Sequence, residues 1–170
     1  MFGRRKQPIQ AAPAVTAEPI IIFLLPHSGG FDGDGGEHVE IEGCDAALDA
    51  EGSDPLYVDE ARARLFHCRV NGVTRHERDL QLPAFALGSK VVLEPEPTNP
   101  VDPNAIRVLS ADFKHVIGYV PKDLAGELVP LFARGAPSQG IVIKVFTKHG
   151  RRVAVRIVGA VGQSITVRSV

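Results

Sequence analysis

Residues 93–108 read Leu-Glu-Pro-Glu-Pro-Thr-Asn-Pro-Val-Asp-Pro-Asn-Ala-Ile-Arg-Val, placing four prolines, two asparagines and one aspartate between two apolar segments. No regular helix can run through this stretch. Proline holds φ at about −65° and drives the residue before it into extended geometry, which here constrains Glu94, Glu96, Asn99 and Asp102. The outcome is a stiff polar loop that presents amides and carboxylates with little entropy left to lose on binding. The same composition also suits a plain turn between two strands, so loop chemistry alone does not separate recognition from connection.

The flanks of this loop read as strands. Short apolar or alternating segments at 65–73 (broken by Gly72), 90–93, 105–109, 116–120, 141–148 and 152–159 are separated by turn residues, the pattern of a small closed sheet. One helix is expected after Pro121. Asp123 complements its N-terminal dipole, Leu124, Leu128, Leu131 and Phe132 fall at helical spacing, and Gly135 ends it, with Pro130 loosening its last turn. The expected fold is therefore mainly β, a small OB-fold-like or SH3-like barrel of about six strands with one short α-helix.

The last strand pair turns at His149-Gly150, and two registers compete for it. A two-residue loop pairs Lys148 with Arg151 and mixes Ile143 and Val145 with Arg152 and Arg156 on one face. A three-residue loop pairs Lys148 with Arg152 and gathers Ile143, Val145, Val153, Val155 and Ile157. The second is expected, because a one-residue slip inverts the burial of a whole strand. The other face then carries Lys144, Phe146, Lys148, Arg152 and Arg156, cations around an aromatic ring, which suits a single strand of nucleic acid. The competing reading makes Phe146 the lid of a secondary apolar cluster.

Charge fits the first reading, and fits equally an acidic solubility tail attached to an ordinary soluble domain. Lys and Arg total 19 against 20 Asp and Glu, a net −1 that hides segregation along the chain. Residues 1–60 hold three basic residues (Arg4, Arg5, Lys6) against twelve acidic ones, net −9, whereas 61–170 hold sixteen against eight, net +8. Residues 1–60 read as a mostly disordered acidic arm, with a strand at 19–25 that docks on the barrel edge or is kept soluble by the acids after it; residues 61–170 read as the basic domain. The apolar run at 20–25 ends at Pro26, far short of the ~20 residues needed to cross a bilayer, and no cleavable leader pattern is evident. A cytoplasmic protein with no membrane partner is expected.

Catalytic and metal chemistry find little support. Cys44 and Cys68 lack Cys-x-x-Cys spacing, and no two of the histidines have the His-x-x-x-His spacing that places ligands on one helical face. No phosphate-cradling glycine loop or nucleophile triad is recognisable. The expectation is a non-enzyme without cofactor or metal.

Taken together, Phe66 to Gly72, Asn99-Pro-Val-Asp-Pro-Asn-Ala-Ile-Arg-Val108, Gly118-Tyr-Val-Pro-Lys122 and the stretch from Leu124-Ala125 to Gly135 resemble the HIRAN domain, over roughly residues 62–158. The resemblance implies a modified oligonucleotide-binding barrel that holds single-stranded DNA ends in repair or replication-associated processing. It implies that Asp102 approaches a terminal 3′ hydroxyl with Asn99 beside it, that Tyr119 and Lys122 lie near the DNA backbone, and that Phe146 is a looser match to a stacking aromatic. Two positions depart from the family pattern. Val101 replaces an aromatic before the aspartate, and Thr74-Arg75-His76 replaces consecutive tyrosines, leaving Arg75 and His76 as planar groups that can stack instead. The expected function is a nucleic-acid-binding module, with single-stranded DNA as partner and RNA not separated from it by sequence, and with the acidic arm contacting the basic domain. A protein-interaction adaptor, and behind it a zinc-binding hydrolase-associated domain, are the alternatives.

Overall fold

The computed structural model describes residues 20–25, 38–41, 64–132, 138–162 and 164–169. The expected disorder of residues 1–60 therefore falls mostly outside the described residues. In chain order the strands are β1 (Ile20–Leu25), β2 (His38–Ile41), β3 (Arg64–Arg69), β4 (Lys90–Pro95), β5 (Ile106–Ser110), β6 (Val116–Tyr119), β7 (Gln139–Lys148), β8 (Arg151–Val161) and β9 (Ile165–Ser169). Two short helices interrupt them, α1 (Glu77–Leu80) and α2 (Lys122–Leu128). Strands β3-β8-β7-β4-β5-β6 form a six-stranded antiparallel sheet in that spatial order, and β2-β1-β9 form a second sheet in which β1 and β9 run parallel.

The six-stranded sheet curls until its two edge strands meet. Asn71, just past β3, and Tyr119, at the end of β6, exchange both backbone hydrogen bonds, at 2.8 and 2.9 Å. Gly118 permits this closure. A methyl group there would overlap the Asn71 carbonyl oxygen and lie 2.8 Å from Val70 Cγ1, and its φ of 151° is one that side-chain-bearing residues avoid. Inside the curl, Phe66, Cys68 and Val70 of the β3 region pack with Leu80, Phe85, Leu93, Ile106, Ile117, Val155 and Ile157. Helix α2 closes one end through Leu124, Ala125 and Leu128, and the chain then tightens into a 3₁₀ turn at Val129–Phe132, where Pro130 interrupts α-helical bonding.

The β7–β8 hairpin corrects the expected register. Its tip is a two-residue loop pairing Lys148 with Arg151, and both loop residues have positive φ, 51° at His149 and 73° at Gly150. That primed turn matches the right-handed strand twist, which is why it prevails over the three-residue loop. The burial conflict is resolved by two bulges, at Val153 on β8 and Ile143 on β7, which shift the middle of the hairpin by one residue and shift it back at the base. Between them Val145 pairs with Val155, Phe146 with Ala154 and Lys144 with Arg156, as the expected register has it. Val142 rather than Ile143 enters the core cluster, and Val153 is exposed instead of joining the apolar face.

Two further differences concern elements. Strand β1 pairs with β2 and β9 rather than with an edge of the barrel, and β2 and β9 were not expected. Helix α1 and the 3₁₀ turns at Val73–His76 and Pro83–Phe85 fill a stretch for which no element was expected.

Candidate nucleic-acid interface

The outer face of the barrel changes character along β3, β8 and β7. Cross-strand pairing sets His67, Val158 and Ile141 in one row, all buried, and Arg69, Arg156 and Lys144 in the next. The bulge at Ile143 makes this possible, because without the extra residue Ile141 and Lys144 would point to opposite faces. Three cations thus stand side by side across three strands.

Phe146 lies beside this row, half-buried. The Arg69 guanidinium carbon is 5.0 Å and the Lys144 ammonium 5.2 Å from its ring centroid, both within cation–π range. Lys144 is almost buried, at 9% exposure, while Arg69 is exposed. The ring holds the two cations, and they in turn orient the ring. Arg69 was not legible as a site residue, since only the β3–β8 pairing brings it opposite Arg156.

The hairpin tip does not join the cluster as expected. Lys148 is exposed and faces Arg151 across the turn. Arg152 points the other way, its Nη1 donating to the carbonyls of Leu80 at 3.2 Å and Leu82 at 2.7 Å. Its backbone is also clasped by Gln81, which accepts from the Arg152 amide at 3.0 Å and donates to the Arg152 carbonyl at 2.8 Å. In this structure Arg152 anchors the segment after α1.

A second group of residues surrounds the proline-rich loop. Asn99 Oδ1 accepts the backbone N–H of Val101 at 2.9 Å and of Asp102 at 3.1 Å, while its Nδ2 donates to Glu96 Oε2 at 2.7 Å. The Asn99 Oδ1 and one of its two side-chain N–H groups therefore build the loop, and the second N–H is left for other partners. Asp102 Oδ1 accepts the Asn104 amide at 2.9 Å, which leaves Oδ2 turned to other partners. Val101 stands at the loop tip, 84% exposed.

Glu96 Oε2 also accepts the Tyr119 hydroxyl at 3.2 Å, and Arg107 reaches both Glu94 and Glu96. Burial, reinforced by the charge and hydrogen bond of Glu96, pushes the Tyr119 phenol above its ordinary range, with Arg107 and Arg75 opposing. Arg75 is thereby placed near Tyr119, on the turn that follows Gly72, with the half-buried His76 next to it. Lys122 opens α2, exposed, three residues beyond Tyr119. The two groups are linked through β3. Arg69 is two residues from Asn71, which is hydrogen-bonded to Tyr119, so the Arg69 end of the basic row approaches the end of β6.

Other chemistry is sparse among the described residues. No group of three His, Cys, Asp or Glu is arranged to hold a metal ion, and no helix is long and apolar enough to cross a membrane. Cys68 is buried, and burial pushes its thiol up to about 12, against a smaller opposing effect of Arg156, which makes it a poor nucleophile.

Residues 65–161 match the family model of the HIRAN domain, more than half of the chain. The chain belongs to the HIRAN domain family. HIRAN domains are DNA-binding modules, and family membership brings nucleic-acid binding to this barrel. Among solved structures, the HIRAN chain is similar to the crystal structure of the HIRAN domain of human HLTF, at 21% identity and a TM-score of 0.41 over 58% of this chain and 76% of that one. It is also similar to a crystal structure of a protein from Lactobacillus plantarum, at 24% identity and a TM-score of 0.44 over 55% of this chain and 90% of that one. No curated protein matches the chain.

Proposed function

We propose that this HIRAN barrel is a non-catalytic module that binds single-stranded DNA along the rim from Phe146 to Tyr119, in repair or replication-associated processing. The observation that carries the reading is the row Arg69–Arg156–Lys144 with the Phe146 ring against it. Phosphates neutralise the row and release counterions, while an unpaired base stacks on the ring or on the Arg69 plane. A duplex keeps its bases stacked on one another and gains only the charge. Single strands therefore bind more tightly than duplex of equal length.

At the loop, Asp102 Oδ2 accepts a hydrogen bond from a free 3′ hydroxyl and repels a 3′ phosphate. Val101, in place of an aromatic, weakens that end preference by removing a stacking surface. The acidic residues before β3 act as an internal competitor. Strand β1 is tied to β9, so the acids between β1 and β3 are tethered at both ends to the domain that bears the basic row.

Fluorescence anisotropy with labelled oligonucleotides tests the reading. Single strands are expected to outcompete duplex, and Arg69→Ala to reduce the slope of log K against log salt by about 0.7, one phosphate contact. A slope that Arg69→Ala leaves unchanged would remove Arg69 from the interface.

A further inference from the structure

We propose that Glu96 is the positioning residue of the loop site, a single acceptor oxygen that fixes both the recognition loop and Tyr119. The proposal rests on the single-strand reading above for its consequence, and on the loop geometry for its cause.

Glu96 Oε2 receives two donors from two separate parts of the barrel. Asn99 Nδ2 reaches it from the proline-rich loop at 2.7 Å, and the Tyr119 hydroxyl from the end of β6 at 3.2 Å. Held there, the Asn99 amide turns its Oδ1 inward to accept the N–H groups of Val101 and Asp102, which sets the direction of the Asp102 side chain. The other carboxylate oxygen, Oε1, lies 3.6 Å from Arg107 Nη1, and Arg107 is steadied in turn by Glu94. The backbone contributes as well, since the Asn99 amide donates to the Glu96 carbonyl at 2.9 Å and the Glu96 amide to Ala105 at 2.8 Å. Glu96 thus sits at the base of the loop with its side chain bridging to β6.

A second effect concerns Tyr119. Its hydroxyl proton points to Glu96, so the phenol offers a ligand lone pairs and no proton. With Asp102 Oδ2 this makes the loop end of the rim an acceptor surface, while cations line the rest of it. A bound strand accordingly places phosphates toward Arg69, Arg75 and Lys122 and a hydrogen-bond donor toward the loop.

Reach and charge are separable at this position. Glu96→Gln keeps the chain length and one acceptor oxygen, able to receive both donors, but loses the charge. Glu96→Asp keeps the charge and shortens the arm by one methylene, which withdraws the oxygen from Asn99 and Tyr119. If Glu96 positions the loop through that oxygen, Glu96→Asp should speed hydrogen exchange at the Val101 and Asp102 amides about fivefold or more, as expected for one weakened hydrogen bond. It should weaken binding of a single-stranded oligonucleotide severalfold without changing the salt slope. Glu96→Gln turns an –NH2 toward Arg107 in place of Oε1 and weakens two charge-assisted hydrogen bonds, so it should lose something in both measurements but less than Glu96→Asp. Loss in Glu96→Gln with retention in Glu96→Asp would overturn the proposal and make the charge the active feature. Amide exchange that neither substitution moves would overturn it as well. Failure of the parent protein to bind any oligonucleotide, with the exchange pattern as predicted, would instead overturn the single-strand reading and leave the positioning role standing.

Discussion

Replacing Gly118 with alanine perturbs the closure of the barrel and the site built on it. The new methyl group overlaps the Asn71 carbonyl oxygen and lies 2.8 Å from Val70 Cγ1. Backbone must move, since neither obstacle is the end of a flexible side chain that can swing away. Moving it breaks the Asn71–Tyr119 pair, two hydrogen bonds worth about 1 kcal/mol each net. Alanine at a φ of 151° adds about 1–3 kcal/mol of backbone strain. The expected loss is about 3–5 kcal/mol, a large share of the ~5–15 kcal/mol typical of a domain. Urea denaturation followed by far-UV circular dichroism measures it directly, as the chain has no tryptophan to report by fluorescence. A loss below about 1 kcal/mol would refute the argument that this edge contact closes the sheet.

The remaining predictions concern the site and the core. Phe146→Ala should weaken single-strand binding by about 1–3 kcal/mol in an anisotropy titration, with the salt slope little changed; unchanged affinity would make the ring a packing residue. In a Cys44→Ser background the Cys68 thiol should resist Ellman's reagent at pH 8 while folded and react once urea unfolds the chain. Because burial raises the folded Cys68 value from 9.0 to about 12, the unfolded chain loses its proton first, so stability should fall as pH rises through that window; melting midpoints that do not fall between these values would contradict it. Replacing the acidic residues at 42–60 with their amides should tighten single-strand binding at low salt and lose that effect as the Debye length shrinks to ~8 Å at physiological ionic strength. Equal binding at low salt would leave the acids a solubility role.

Much of this fold is written locally. The strands of the six-stranded sheet follow from alternation and turn residues, and the proline-rich loop from the rule that fixes the residue before each proline. Asn99 and Asp102 were legible as loop residues, but that Asn99 turns its Oδ1 and one N–H into the loop depends on where Glu96 sits. The hairpin was legible only in its middle. Local alternation places Lys144 and Phe146 opposite Val145 correctly, whereas the tip obeys the preference of a two-residue turn and the base obeys the sheet, and two bulges reconcile them. Arg69 and the role of Arg152 depend on contacts between segments far apart in sequence. Helix α1 spans only Glu77–Leu80, too short to leave a periodic trace, and β9 gains its meaning only from its partner β1.

The central claim is that the row Arg69–Arg156–Lys144 with Phe146 binds single-stranded DNA. The most direct measurement is the affinity of the full chain for a short single strand across a salt series, alongside a duplex of the same length. The single strand should bind more tightly, with a slope of log K against log salt of about −2, as for three phosphate contacts along the interface at roughly −0.7 each. Equal affinity for the two forms, or binding that ignores salt, would contradict it.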